Sequence, residues 1–447
     1  VRNERASESA SWRRKSKFTL MINKLKQKIY NILRWSEKWT KTDMVYLFKG
    51  GSWFTSSEII SNLLSFGLSI AYANLLSQQT FGTYKYLLSA YGLISLVALP
   101  GIVTAVTQSV SRGYEGSLRN GFKTKMSWGF LGTAISLILA TYYFFHQNLI
   151  LAGGFAIIGI FIPLVDSFSI YSSFLIGKKL FKQKVICGIL TNIFSVSSVI
   201  ITILITNNIF ILLTTYFSSL FLAHSFFYQI NAKKFITNNK TDVNLITYGK
   251  SLTACQIFSN AAQYIDKILL FTMLGSAQVA IFTFASALPD RIKYIFRFTI
   301  TISMPKFVNN THEEIKKTLP KKIMIMATVI AFVILCYIVV APLIFKYIFP
   351  QYISAILFSQ IIALTSIYAI DYPIGAYLQA HKKVKELFII SSSSFILGVI
   401  SMVVFIPLYG IWGAVIGLAI NRLANMITSF YFLYNPIEKQ GTSKHYF

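Results

Sequence analysis

The sequence predicts an all-α integral membrane protein of about twelve transmembrane helices. Three observations lead there: the hydrophobic fraction, the regular length of the apolar runs, and the placement of Lys and Arg between those runs. Hydrophobic residues make up 54% of the 447 and charged residues 13%, with mean hydropathy +0.58, whereas soluble domains average about 45–50% apolar and about 25% charged. One soluble core cannot bury that much apolar surface. At 1.5 Å per residue, roughly 20 apolar residues carry a helix across about 30 Å of hydrocarbon. Runs of that length fall at 54–76, 86–107, 127–146, 149–172, 185–206, 209–230, 251–274, 279–303, 323–345, 352–378, 387–408 and 411–434. Their short connections make consecutive helices antiparallel neighbours.

A net charge of +27 would suggest nucleic acid in a soluble chain, but here it marks one membrane face. With a cytoplasmic N-terminus, that side collects 35 of the 42 Lys and Arg residues, Lys85 and Lys346 fall on the other side, and five lie inside spans. Lys/Arg bias in short loops sets orientation, so both termini are expected in the cytoplasm. Residues 1–42 form a basic segment. Met21 is an alternative start, and the first long apolar run begins only near residue 51, so no cleavable leader is expected. Ile22, Leu25, Ile29, Ile32 and Leu33 recur at helical spacing among Lys and Arg, which reads as an amphipathic helix on the inner leaflet or as a disordered basic tail.

An internal repeat divides the rest into six-helix bundles at 43–230 and 231–447. LLSQQTFGTYKYLLSA (75–90) matches MLGSAQVAIFTFASAL (273–288) at a shift of 198, pairing Phe81 with Val279, Gly82 with Ala280, Tyr84 with Phe282 and Tyr86 with Phe284. FLIGKKLFK (174–182) matches YLQAHKKVK (377–385) at a shift of 203. Six helices separate the copies. Because six is even, the two copies have the same orientation, related by an axis along the membrane normal.

Over roughly residues 43–435 the chain resembles the multidrug/oligosaccharidyl-lipid/polysaccharide (MOP) flippase superfamily, in particular its polysaccharide, O-antigen (Wzx-type) branch. The resemblance rests on LLSQQTFGTYKYLLSAYGLISLVALPGIVTAVTQSVSRG after the first span, QYIDKILLFTMLG in the seventh, and IPLYGIWGAVIG between the last two. It implies a V-shaped pair of bundles around a central cavity, alternating between inward- and outward-open states in the bacterial inner (plasma) membrane. The implied substrate is an undecaprenyl-pyrophosphate-linked oligosaccharide for lipopolysaccharide or a similar glycan, with membrane lipid, a glycan polymerase and assembly proteins as partners. The implied alternative is a multidrug exporter of the same superfamily.

Ionisable groups inside spans are costly, at roughly 2.5–3.5 kcal/mol on the insertion scale, and so mark function. The eighth span holds Asp290, Arg291, Lys293 and Arg297 just after Pro289. Asp290, Lys293, Tyr294 and Arg297 share one helical face, and the segment is net positive by two. Structural pairing within the bundle is one reading. The other is binding of an anionic headgroup by Arg291, Lys293 and Arg297, with Lys267 and Arg422 assisting, since Arg and Lys hold diphosphates through charge-assisted bonds. Asp266 and Lys267 are adjacent, about 100° apart, and are expected to face different surroundings. Asp371 and Arg422 are expected to pair with each other. The first half shows only Glu58 and Asp166 and no intramembrane cation. These carboxylates are candidates for proton or small-cation coupling, or simply reach the interface.

Enzymatic readings find no support. His146, His224, His312, His381 and His445 have no metal-ligand spacing, and Cys187, Cys255 and Cys336 are scattered singly on apolar helices. No phosphate-binding loop follows a strand, and the large outer loop usual in membrane polymerases is absent. A transporter without metal, cofactor or nucleic-acid partner is expected; a scaffold role in glycan assembly remains the other non-enzymatic reading.

Overall fold

The computed structural model describes residues 44–308, 312–381 and 383–435; for residues 44–57, 294–308, 312–318 and 322 only the backbone is described. The expected surface helix at 22–33 lies outside the described residues. Those residues are helical, with no strand among them: α1 Met44–Leu75, α2 Gln78–Ile94, α3 Gly101–Ser111, α4 Ser117–Phe145, α5 Leu149–Phe168, α6 Tyr171–Gly177, α7 Phe181–Ile205 and α8 Ile209–Phe235. Then follow α9 Leu245–Ala261, α10 Ile265–Leu274, α11 Ser276–Val308, α12 His312–Ile348, α13 Ile356–Leu364, α14 Tyr372–Ala380, α15 Val384–Tyr409 and α16 Ile411–Tyr434.

Among the described residues eight helices are long and apolar enough to span a bilayer, and nine if the bent pair 78–98 and 101–111 counts as one. The other three expected spans are helical but unorthodox. α1 covers 54–75, the seventh span is split into α9 and α10, and α11 runs unbroken through five charged residues. The bend after α2 is 50°. Its cause is local: Leu99 takes a left-handed conformation (φ 54°) and Pro100, which has no N–H to continue a ladder, caps α3.

The repeat is visible as geometry. The Lys178 N–H donates to the Phe174 carbonyl at 2.9 Å and the Leu180 N–H to Leu175 at 2.8 Å; 203 residues later His381 donates to Tyr377 at 3.1 Å and Lys383 to Leu378 at 2.9 Å. In both halves, the fourth span breaks before its last turns, at 169–170 and at the 3-10 helix Thr365–Asp371. The other pair of matched segments, α2 and the start of α11, pack on each other. All eight matched residues are buried.

That contact sits at the end of the helices where Ser77, Ser276 and Gly410 lie, here called the distal end. Gly82 faces the Ser276 backbone, the Phe81 and Phe284 rings are 4.9 Å apart, and Tyr86 stacks on Phe271 at 3.8 Å. The largest buried apolar cluster lies here and joins both halves, from Tyr72, Phe81 and Phe217 to Phe282, Phe345 and Tyr352. At the opposite, basic end, the Gly101 N–H donates to Thr253 Oγ1 at 3.0 Å, and the stretch 236–244 between α8 and α9 is bound to the 112–117 turn. There the Gly116 N–H donates to the Lys240 carbonyl at 2.9 Å, Ser109 Oγ to Asp242 at 2.7 Å, and the Thr237 N–H to Glu115 at 2.6 Å. Lys178 Nζ lies 2.5 Å from the same Glu115 carboxylate. Burial works against the charge on Glu115, but the Lys178 and Thr237 bonds outweigh it and hold its carboxyl below the usual range.

Candidate functional site

The charges of α11 follow Pro289, which is buried and cannot donate to the carbonyl one turn back. Ser366 Oγ donates to the Pro289 carbonyl at 3.4 Å, fixing this turn against the 3-10 helix of the second half. One residue on, Asp290 accepts from Lys293 Nζ at 2.7 Å and from Arg422 Nη2 of α16 at 2.9 Å. Arg422 also donates to Thr365 Oγ1 and to the Ile362 carbonyl, so its planar fork is filled on three sides. The pairing expected between Arg422 and Asp371 is not formed. Asp371, 4% exposed, accepts instead from Asn425 Nδ2 one turn along α16. Arg422 sits about one turn closer to the distal end of α16 than Asn425, within reach of Asp290 and away from Asp371. In this cluster Arg422 is the closed member, with 10% of its side chain accessible, and Asp290 is the open one at 38%.

Asp266 and Lys267 also depart from expectation. Rather than facing apart, they pair with each other: Lys267 Nζ lies 3.1 Å from Asp266 Oδ1, and the Lys267 backbone N–H donates to the same oxygen at 2.8 Å. The bend that begins α10 leaves that N–H without a helical acceptor, and the Asp266 carboxylate caps it. This pair lies within electrostatic reach of the Asp290 cluster: Lys267 acts on Asp290, and Asp266 on Lys293 and Arg422. Arg291 turns the other way, donating from Nη1 to Asn62 Oδ1 of α1, and so joins the first half to the second. The Arg297 side chain lies outside the described residues.

The first half carries more charge than expected. Lys85, assigned from sequence to a loop, stands in the second turn of α2, its Nζ 5.4 Å from the Phe81 ring centroid and 5.5 Å from that of Tyr72. Lys125, likewise assigned to a loop, is 5% exposed on α4 and acts electrostatically on Asp166. The reading that this half has no intramembrane cation is therefore corrected; both helices begin a full turn or more earlier than hydropathy suggests. Asp166 accepts from the Tyr91 hydroxyl at 3.3 Å through Oδ1, while its Oδ2 is buried without a hydrogen-bond partner. Glu58 lies exposed on α1. Asn62, Thr365, Asn425 and Tyr91, which partner these charges, carry no distinguishing pattern in the sequence.

Taken together, Lys267, Arg291, Lys293 and Arg422 stand against Asp266 and Asp290, leaving two positive charges within mid-helix surroundings. Among the described residues no three His, Cys, Asp or Glu side chains converge as a metal site, and Cys187, Cys255 and Cys336 are free thiols. The arrangement has no nucleophile paired with a base. What it offers is a partly buried, cation-rich cluster able to hold an anion.

The sequence model of a family described as polysaccharide biosynthesis protein matches residues 47–309. Among solved structures, the lipid II flippase MurJ in an inward closed conformation superposes with TM-score 0.62 at 15% identity, over 85% of this chain and 87% of that one. A multidrug resistance MATE family transporter of the MOP superfamily matches in its inward-facing form with TM-score 0.57, 14% identity and coverage of 84% and 94%. Its outward-facing form gives TM-score 0.55, 14% identity and 85% and 92%. No curated protein matches by sequence.

Proposed function

Because this chain belongs to the polysaccharide biosynthesis protein family and has the fold of MOP transporters, we propose that it is a flippase for a lipid-linked glycan. The substrate would be an undecaprenyl-pyrophosphate-linked oligosaccharide carried from the cytoplasmic to the outer leaflet of the bacterial inner membrane. The observation behind this reading is the surplus of positive charge around Asp290. A diphosphate supplies two or more negative charges that the helices themselves lack, and it would form charge-assisted bonds to Lys293 and Arg291. In this reading Asp290 holds Lys293 and Arg422 in place when the site is empty. The basic end, with Lys178, Lys240 and Lys383, faces the cytoplasm, so the glycan enters there and leaves at the distal end.

The fold is shared with multidrug transporters, and the same protein as an exporter is the second reading. Cationic drugs would be repelled by a site of this sign. Complementation of surface glycan in a flippase-deficient strain separates the two, with protein level measured alongside. Charge reversal at Arg291 and Lys293 is expected to abolish glycan export more completely than neutralisation, because it repels the diphosphate as well as losing a partner. Normal expression with full glycan in both Arg291→Glu and Lys293→Glu would overturn the flippase reading.

A further inference from the structure

Lys85 stands apart from the cluster around Asp290. It makes no hydrogen bond or ion pair among the described residues; its ammonium lies over the Phe81 and Tyr72 rings, at 5.4 and 5.5 Å from their centroids. The charged group that acts on it is another cation, Lys267. Tyr86 stacks on Phe271 at 3.8 Å, which sets α2 beside α10, with Lys85 and Lys267 each one residue to one turn away from that stack. At 1.5 Å per residue both stand about 10 Å from the distal end, Arg422 about 16 Å, and Asp290 and Lys293 about 21–26 Å. Two like charges from opposite halves thus stand at one depth, with Asp266 the carboxylate paired to one of them among the described residues. Further inward, Lys267 acts on Asp290, and Asp290 in turn pairs with Lys293 and Arg422.

We propose that Lys85 and Lys267 form a second, distal subsite for the phosphate oxyanion of the substrate, reached from the Asp290 cluster by a step along this series of cations. The proposal rests on the flippase reading and deepens it. A phosphate between the two ammonium groups removes their repulsion and ties α2 to α10. Because Lys85 belongs to the first half and Lys267 to the second, parting of the distal end would pull the two cations away from each other and release the anion there. Tyr72 and Phe81 then have a function besides packing: their ring faces hold the Lys85 ammonium when the subsite is empty.

The test uses the full-length protein in detergent and two probes, undecaprenyl diphosphate and inorganic pyrophosphate, with affinity read from ligand-induced thermal shift. Lys85→Met keeps the stem against the two rings and removes the charge; Lys85→Arg keeps the charge. Loss of a charge-assisted bond gives about a tenfold or greater fall in affinity for the lipid diphosphate in Lys85→Met, with Lys85→Arg within about threefold of the parent. Lys85→Met and Lys267→Met together lose less than the product of the single losses, because both act on one bound anion. Unchanged lipid binding in Lys85→Met, beside a clear loss in Lys293→Met, would overturn the distal subsite and leave the flippase reading standing. Equal loss in Lys85→Met and Lys85→Arg would make the residue structural and also overturn it. A loss for pyrophosphate alone would assign the site to a free anion and not to the lipid headgroup. Unchanged lipid binding in Lys293→Met as well would count against the flippase reading itself.

Discussion

Gly82 is where a single methyl group tests the closed distal end. A Cβ built on it lies 1.8 Å from the Ser276 carbonyl oxygen and 2.5 Å from the Ser276 carbonyl carbon. Both are backbone atoms, so no side chain can swing aside. Ordinary contact begins near 3.4 Å, so α2 and the start of α11 must part by about 1.6 Å in Gly82→Ala. Such overpacking costs about 1–3 kcal/mol. Parting also loosens the Phe81–Phe284 and Tyr86–Phe271 pairs, each worth about 0.5–1.5 kcal/mol. A penalty of 1–3 kcal/mol lowers the closed population roughly 5- to 150-fold relative to an open one. The reporter is a single cysteine at Ala280, which is fully buried in the first turns of α11, in a background with Cys187, Cys255 and Cys336 replaced. Its labelling by a membrane-impermeant maleimide is expected to accelerate at least fivefold when Gly82→Ala is added, and further with Gly82→Val, while glycan export falls. Parental labelling rates with full export in Gly82→Val would refute the reasoning, since the chain would then tolerate a group that the closed interface cannot hold.

Three other outcomes follow from the same geometry. Asp290→Asn leaves Arg422 and Lys293 facing each other, and because the Asp290 carboxylate is 38% accessible the loss is expected near 2 kcal/mol instead of the 3–5 of a fully buried pair; melting in detergent should fall, and Arg422→Gln added to it should recover part of the loss. For Glu115, the depressed folded-state pKa means that its stabilisation is complete above the ordinary carboxylate value of about 4.3 and is lost as pH falls through the lower folded value. The hydrogen-exchange protection factors of residues 236–244, which are corrected for the intrinsic pH dependence of exchange, should therefore be flat from pH 8 to 5 and fall only below about pH 4, and Glu115→Gln should lower protection at pH 7; a fall already between pH 7 and 5 would contradict the assignment. If Asp166 takes up a proton or small cation through its unpartnered Oδ2, Asp166→Asn should remove the pH or sodium dependence of export while leaving the protein inserted; unchanged dependence in both Asp166→Asn and Glu58→Gln would leave both carboxylates structural.

Apolar run length was enough to find every long helix among the described residues, because the bilayer imposes it locally. It misplaced helix starts wherever a span begins in polar sequence. To hydropathy Lys85 reads as loop, yet Ser77 accepts from the Thr80 N–H at 3.1 Å and starts α2 at Gln78; the legible part of such a cap is the Ser itself. Lys125 was misplaced similarly, since α4 starts at Ser117. The cationic residues of the second half were all visible as charges within apolar runs. Their partners were not: Asp290 and Arg422 are 132 positions apart, and which of two carboxylates a guanidinium reaches depends on how α11 and α16 are rotated, a property no local pattern encodes. The repeat lay between these limits. Its matched residues gave the segments, and the fact that two of those segments press against each other at Gly82 and Ser276 emerges only from packing.

The stretch 236–244 is the covalent link between α8 and α9, and nine extended residues left free would reach about 30 Å. Bound to Gly116, Ser109 and Glu115, it behaves as an extra loop of the first half, and the slack available to the second half shrinks to the peptide or two just before Leu245. In the flippase reading, rocking of one half against the other would pivot about this fixed point at the basic end. The bodies would not drift apart at that point as they tilt, so the distal end would swing through a wider arc than the basic entry.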